Sequence, residues 1–189
     1  MKLERVFGSQ KPHAMLELVF DASPWGLGGF LTDVATGQIL QFFADSLTEQ
    51  DATRFGKPLG EASGQQCWEA LAILVGLRLW APLIEGKQAI LRVKTDSKSA
   101  IGVVLKMASS CSVLNGIGAE VVLTLEAHDI QDLVASHIPG ILNQTADALS
   151  RMAQPGVSAG LPESCKGSRR RVVPVRDDAY FPVWKVSVL

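Results

Sequence analysis

The stretch LELVFDASPWGLGGFL, residues 16–31, decides the fold, because it places one carboxylate inside an otherwise apolar, strand-like segment. Asp21 follows three apolar residues and precedes a Pro-Trp-Gly turn. A buried carboxylate is costly unless a cation or several hydrogen-bond donors compensate it. Three further carboxylates lie in recognisable settings, Glu69 in QQCWEALAIL, Asp96 in LRVKTDSKSA and Asp147 in NQTADALSR. The hypothesis is that all four converge on divalent metal.

The composition is that of a globular protein with one main domain. The chain has 189 residues, of which 47% are hydrophobic, and a mean hydropathy of +0.20. We find no charged-then-apolar leader, and the most apolar predicted helix carries Arg78, so we expect a soluble protein inside the cell, in cytoplasm or nucleus, with no membrane partner. The three cysteines are odd in number and far apart, which favours free thiols: Cys67, Cys111 and Cys165.

Charge is distributed unevenly along the chain. Residues 16–152 carry nine Lys and Arg against 15 Asp and Glu, a net charge of −6, whereas residues 153–189 carry a net charge of +3. Phosphate neutralisation by Lys and Arg normally supplies most non-specific affinity for nucleic acid. Bound divalent cations would offset part of the acidity, but we expect weak autonomous binding, with affinity supplied by a neighbouring domain.

Hydrophobic periodicity predicts the element order β-β-β-α-β-α-α-β-α. The first three strands are predicted to be antiparallel. The first helix is apolar around most of its circumference, which predicts packing between layers, with Pro82 as its stop and Glu69 in its first turn. Residues 45–63 are predicted to form an irregular connection. Strands are expected at 16–23, 27–33, 39–43, 88–94 and 133–138, and helices at 65–81, 99–107, 113–127 and from an Asn143 cap through Arg151.

The two ends of the chain differ from its middle in composition. Residues 1–15 are short and polar and are interpreted as a connector from something upstream. Residues 153–189 contain Gly, Ser and Pro, then the basic run 166–171, then a strand-like segment from 180 to 189. We interpret them as a linker and the possible edge of a following domain. A basic arm on nucleic acid is the alternative that stays open.

Four motifs in a fixed order resemble one family. They are FDAS (20–23), WEALAIL (68–74), TDSKSA (95–100) and HIPGILNQTADALSR (137–151), and together they resemble the ribonuclease H domain attached to retroelement reverse transcriptases. The resemblance covers residues 16–152. It implies an α/β fold with a five-stranded mixed sheet, three antiparallel strands followed by two parallel ones, and helices on both faces.

The resemblance also implies an activity. It is the hydrolysis of the RNA strand of RNA·DNA hybrids by an endonuclease that uses two Mg²⁺, or Mn²⁺, ions, with a polymerase domain upstream as partner. Asp21 resembles the carboxylate between the two ions, Glu69 and Asp96 the ligands on the leaving-group side, and Asp147 the ligand on the nucleophile side. Hard oxygen ligands suit magnesium, and two metals serve in-line displacement at phosphorus. The products would be a 5′-phosphate and a 3′-hydroxyl.

Substrate contacts are implied less directly. Gly28 and its neighbouring glycines resemble small residues that admit a minor groove, and Ser97, Lys98 and Asn143 are candidates for RNA contact. His137, ten residues before Asp147, is a candidate for proton transfer. Retroviral members place their histidine after the corresponding Pro-small pair, where this chain has isoleucine. That departure favours a site that works without histidine.

Other functions remain open alternatives. A catalytically silent domain of the same fold could serve as a structural connector for a polymerase, but no carboxylate is lost. Proofreading exonucleases of this fold carry Asp-x-Glu in the first strand, and here Ser23 occupies the Glu position. Integrases and transposases end in a helical Glu, whereas the last predicted helix offers Asp147. Taken singly, each carboxylate has a structural alternative as a cap, a turn residue or a surface charge, which is the better interpretation for Glu69 and Asp147; the occurrence of all four in the family's order favours the metal site.

Overall fold

The computed structural model describes residues 15–85, 90–106, 109–130 and 133–184, so the predicted connector lies almost wholly outside it. The strands are β1 (Leu16–Ala22), β2 (Gly26–Asp33), β3 (Ile39–Ser46), β4 (Leu91–Thr95), β5 (Leu133–His137) and β6 (Arg169–Arg170). The helices are α1 (Glu49–Phe55), α2 (Gln65–Ile84), α3 (Lys98–Lys106), α4 (Ser112–Ala127) and α5 (Gln144–Ser150).

The described strands form one sheet in the order β5-β4-β1-β2-β3-β6. Strands β1, β2 and β3 are antiparallel, and β4 and β5 continue the sheet in parallel, as predicted. The sequence predicted five strands, but the described residues form six, because Arg169–Arg170 pairs in parallel with β3. Two exposed arginines carry no apolar alternation, so the sequence pattern cannot indicate this strand.

Helices cover both faces of the sheet, as predicted. Phe20 of β1 stacks on Trp80 of α2, with ring centroids 6.0 Å apart, so the Phe20 side of β1 faces α2. The next residue, Asp21, points to the opposite face, where its strand partner Gly28 packs beneath α5. The alternation of β1 therefore gives one face to the core and the other to the carboxylate.

Helix α2 is the centre of the core, and nearly all of its residues are buried. Its predicted end at Pro82 is wrong, because the helix continues to Ile84 with the proline in its last turn, where a missing N–H costs only one hydrogen bond. Glu69 is the fifth residue of α2 and lies in the second turn, not the first. By length and composition Ala62–Ile84 is a candidate membrane span, but 83% of its most apolar 18-residue window is buried inside the protein, as in the core helix of a globular domain. All three cysteines are free, as predicted.

The segment 45–63, predicted to be irregular, contains helix α1. Thr48 caps this helix, because its hydroxyl accepts from the Asp51 N–H at 3.2 Å while Asp51 Oδ2 accepts from the Thr48 N–H at 2.9 Å. Gly56 ends it in the left-handed conformation, with φ of 59°. Seven residues give too short an apolar repeat for periodicity to detect, although the Thr-x-x-Asp capping pattern was a usable signal.

Residues 153–184 pack onto the same core, which their composition did not indicate. The Arg176 guanidinium is buried and forms hydrogen bonds with both carboxylate oxygens of Asp51, at 2.9 and 2.7 Å. Phe181 is 1% exposed, and Glu120 of α4 accepts from the N–H groups of Val183 and Trp184 at 2.8 Å each. The described residues from Tyr180 onward are not a strand, and residues 185–189 lie outside the description. A following domain stays a prediction.

Candidate active site

Three of the four predicted carboxylates meet at one end of the sheet. Asp21 is the sixth residue of β1, and Asp96 directly follows β4, the parallel neighbour of β1. Glu69 reaches the same point from α2. One oxygen from each of the three lies within 4.8 Å of the others. The sheet register and the position of α2 therefore build a compact cluster from three residues that are spread over 75 positions of sequence.

Asp21 is 5% exposed and is held by two side chains from the last part of the fold. The Ser150 hydroxyl donates to Oδ2 at 2.6 Å, and the Asn143 amide donates to Oδ1 at 3.4 Å and to the Phe20 carbonyl at 3.0 Å. Burial raises the pKa of Asp21 to about 7, and the Asp96 charge adds to this, whereas the Ser150 hydrogen bond lowers it. In the absence of a cation, the ionised form of this carboxylate is therefore costly to hold in the folded protein.

Glu69 is buried with one oxygen satisfied and one not. Its Oε1 accepts from the Gln65 side chain at 2.8 Å, and Gln65 also donates to the Ala22 carbonyl at 2.5 Å. Its Oε2 is buried and has no hydrogen-bond partner among the described residues. Burial, with the Asp21 charge second, raises the pKa of Glu69 to about 9. A buried oxygen without a partner beside two further carboxylates fits a hard divalent cation such as Mg²⁺.

Asp147 lies on α5 but outside the compact cluster of the described residues. Its Oδ1 accepts from Arg151 Nε at 2.7 Å, one helical turn along, and its side chain is 42% exposed. The Asp147 charge still contributes to raising the pKa of Asp21, so it acts on the same site. The arrangement therefore places a fourth carboxylate beside the cluster, in an ion pair with the Arg151 guanidinium.

An open groove of about 580 Å³ runs beside the cluster. Its lining comes from the start of α2 and from the β4–α3 connection and consists of Gln65, Gln66, Glu69, Asp96, Ser97, Lys98 and Ser99. Ser97 precedes α3, and its hydroxyl accepts from the Ala100 N–H at 3.3 Å, which caps the helix. Lys98 is exposed. The predicted RNA contacts Ser97 and Lys98 thus lie on the groove, and their role stays a prediction.

Two predicted substrate residues also have structural roles. Gly28 is buried under α5, where a Cβ atom would lie 2.4 Å from the Ser150 nitrogen, so the glycine allows the helix to pack, and its predicted contact with substrate stays a prediction. Asn143 is 1% exposed and its amide donates to Asp21, so it orients that carboxylate, and its predicted contact with RNA stays a prediction. It stands at the start of α5, but its side chain makes no capping hydrogen bond.

His137 ends β5, paired in register with Thr95, and its side chain is exposed. It does not belong to the carboxylate cluster within the described ranges. Its position is compatible with a site that works without histidine, and its role stays a prediction.

Sequence reasoning missed the side chains that orient the carboxylates. Ser150 donates to Asp21 across 129 positions of sequence, which no local pattern reveals. Gln65 to Glu69 and Asp147 to Arg151 are pairs at the i, i+4 spacing of a helix, which was a usable signal.

Comparisons with known proteins identify the fold. A scan against protein-family models finds no match, and a search of curated proteins finds none either. Among solved structures, ribonuclease H1 from the halophilic archaeon Halobacterium salinarum is similar with a TM-score of 0.57 at 18% identity, over 76% of this chain and 99% of that chain. A ribonuclease H1 isolated from compost by a metagenomic approach has a TM-score of 0.56 at 17% identity, over 76% of this chain and 96% of that one.

The same compost enzyme in complex with an RNA/DNA hybrid has a TM-score of 0.55 at 17% identity, over 74% of this chain and 94% of that chain. An N-terminal ribonuclease H domain from Mycobacterium tuberculosis has the same TM-score at 14% identity, over 74% of this chain and 97% of that chain. At such identities the likeness shows the fold and not the activity. The chain therefore has the ribonuclease H fold.

Proposed function

We propose that this protein is a metal-dependent endonuclease that hydrolyses the RNA strand of RNA·DNA hybrids. The observation that carries the proposal is the cluster of Asp21, Glu69 and Asp96, whose ligand oxygens lie within 4.8 Å of one another on a ribonuclease H fold. A structural domain has no need of three buried or half-buried carboxylates that repel one another. Their electrostatic cost is offset when cations bind.

The residues present fit two Mg²⁺ ions, with Mn²⁺ as a substitute. Asp21 would hold both ions, Glu69 and Asp96 the one on the leaving-group side, and Asp147 the one on the nucleophile side. When bound, the ions would activate water and stabilise charge on the departing 3′-oxygen. Arg151 pairs with Oδ1 of Asp147, so Oδ2 is the oxygen that would bind the ion unless the carboxylate leaves the arginine.

The surrounding side chains keep the ligands in fixed orientation. Ser150 and Asn143 fix both oxygens of Asp21, which limits its rotation. Gln65 fixes Oε1 of Glu69 and leaves Oε2 for an ion. A site held in this way loses little conformational entropy when metal binds.

The acidic charge of the domain favours a role within a larger protein. A net charge of −6 over residues 16–152 gives little attraction for phosphates. We therefore propose that an upstream polymerase domain supplies most of the affinity for the hybrid. The resemblance of the four motifs to retroelement ribonuclease H domains supports the further proposal that the domain acts inside the cell as part of a retroelement polyprotein.

The test is cleavage of an end-labelled RNA·DNA hybrid, with single-stranded and duplex RNA as control substrates, in Mg²⁺, Mn²⁺ or chelator. We expect metal-dependent cutting of the hybrid alone, with 5′-phosphate and 3′-hydroxyl products, and its loss in Asp21→Asn. Glu126→Gln, which changes an exposed carboxylate on α4, is the matched control and should remain active.

If no cutting occurs at low salt and high protein concentration, a metal titration followed by calorimetry separates two explanations. Ion binding that Asp21→Asn abolishes would mean that the isolated chain lacks grip on the hybrid. A chain that binds no ion would be a catalytically silent connector domain, and the proposal would be refuted.

A further inference from the structure

Two large aliphatic side chains stand exposed beside the carboxylate cluster. Ile141 is 75% exposed and Leu142 is 72% exposed, in a protein whose other isoleucines and leucines are mostly buried in the described ranges. Both belong to the one-turn helix Gly140–Leu142, between β5 and α5. Side chains this exposed add little to the stability of the core. A ligand that covers them would bury their apolar surface.

The turn is attached to the carboxylates at both ends. Gly140 lies so close to Asp96 that a Cβ atom on it would be 3.1 Å from Oδ2. At the other end, the Asn143 amide donates to Asp21 at 3.4 Å. A substrate whose phosphodiester reaches these carboxylates is therefore brought against the turn.

The backbone of the turn is also held in one conformation. The Leu142 N–H donates to the Pro139 carbonyl at 2.8 Å, and the Asn143 N–H donates to the Gly140 carbonyl at 2.9 Å. The two side chains thus project from a fixed platform, and contact with a ligand does not require the loop to be ordered first.

We propose that Ile141 and Leu142 position the RNA·DNA hybrid by packing against the sugar edges of its minor groove next to the cleaved bond. This inference rests on the proposed function. A hybrid presents a wide, shallow minor groove that is recognised by shape, and aliphatic side chains fit sugar carbons without reading sequence. With a net charge of −4 over residues 16–184, the domain gains little affinity from phosphate neutralisation, and apolar burial supplies affinity in its place.

The test compares two double variants of the full chain. In Ile141→Ser with Leu142→Ser, KM for the hybrid should rise roughly tenfold while kcat changes little, because a large part of two aliphatic side chains no longer becomes buried. The matched control is Val172→Ser with Val175→Ser, which changes side chains that are 86% and 76% exposed beyond the far edge of the sheet, and its KM should not change.

Salt dependence and rescue separate apolar contact from other roles. The loss in the Ile141 and Leu142 variant should be equally large at low and moderate salt, because no phosphate contact is removed. The conservative double variant Ile141→Leu with Leu142→Met should keep KM at the wild-type value, unlike the serine variant. The thermal unfolding temperature of all variants should match that of wild type. An unchanged KM, or equal losses in both serine variants, would overturn the inference.

The failure of this inference differs from that of the proposed function. If wild type and the Ile141 and Leu142 serine variant cleave equally well, only this inference is refuted, and a protein partner becomes the remaining ligand for the two side chains. If wild type does not cleave, fluorescence anisotropy of a labelled hybrid in Ca²⁺ replaces kinetics. Weaker binding by the Ile141 and Leu142 variant alone would then support the inference, and equal binding would overturn it.

Discussion

Replacement of Asp21 by Asn should change catalysis and stability in opposite directions. The asparagine keeps the shape of the side chain, accepts from Asn143 as before, and can donate to Ser150, whose hydroxyl also lies 2.9 Å from the Asp147 carbonyl. What disappears is a buried negative charge. We expect the variant to fold, to lose cleavage, and to be more stable than wild type when no metal is bound.

The size of the effect follows from the pKa of Asp21, which is raised from 3.8 to about 7. Holding the ionised carboxylate in the folded state then costs on the order of 4 kcal/mol. Below about pH 4 the group is protonated in both folded and unfolded chains, so it contributes no penalty. As the pH rises from about 4 towards 7, the Asp21 carboxyl ionises in the unfolded chain but stays protonated in the folded chain, so the free energy of unfolding falls. Above about pH 7 the carboxyl is ionised in both states and the full penalty applies.

The assay is urea unfolding of wild type and Asp21→Asn in chelator at several pH values between about 4 and 8, with Glu126→Gln as control. The two proteins should be equally stable near pH 4, and the variant should gain a few kcal/mol on wild type by about pH 8. Mg²⁺ should then stabilise wild type but not the variant. A stability difference that does not change with pH, or an unfolded variant, would refute the reasoning.

Three further predictions concern buried contacts of the domain and of the site. Arg176→Met should lower the free energy of unfolding in urea by about 3–5 kcal/mol, because it leaves the fully buried Asp51 carboxylate unpaired, and an exposed arginine of β6 changed in the same way should have little effect. Gly28→Ala should cost about 1–3 kcal/mol and abolish cleavage, because its Cβ atom would displace α5; normal activity would show that the helix adapts. Ser150→Ala should raise the pKa of Asp21 further and move the acidic limb of the pH–rate profile in Mg²⁺ to higher pH; an unmoved limb would contradict this role of the hydroxyl.

Local sequence patterns predicted the elements that build the site. Apolar runs indicated β1, α2 and β4, and the breaks after β1 and β4 placed Asp21 and Asp96 at strand ends. These signals are reliable because hydrophobic periodicity is a property of one continuous segment. Only boundaries moved, as at Pro82, where a proline in the last turn costs the helix little.

The partners of those elements were decided by tertiary structure. Ser150 meets Asp21 across 129 positions, Gly28 allows α5 to pack, and two arginines become a strand because β3 offers a free edge. Contacts of this kind depend on strand register and on which segments pack together, and a local pattern contains neither. The sequence by itself indicated three carboxylates that meet at the end of the sheet, and the tertiary structure decided what holds them and that Asp147 lies beside the cluster and not in it, because side-chain position depends on how α5 packs.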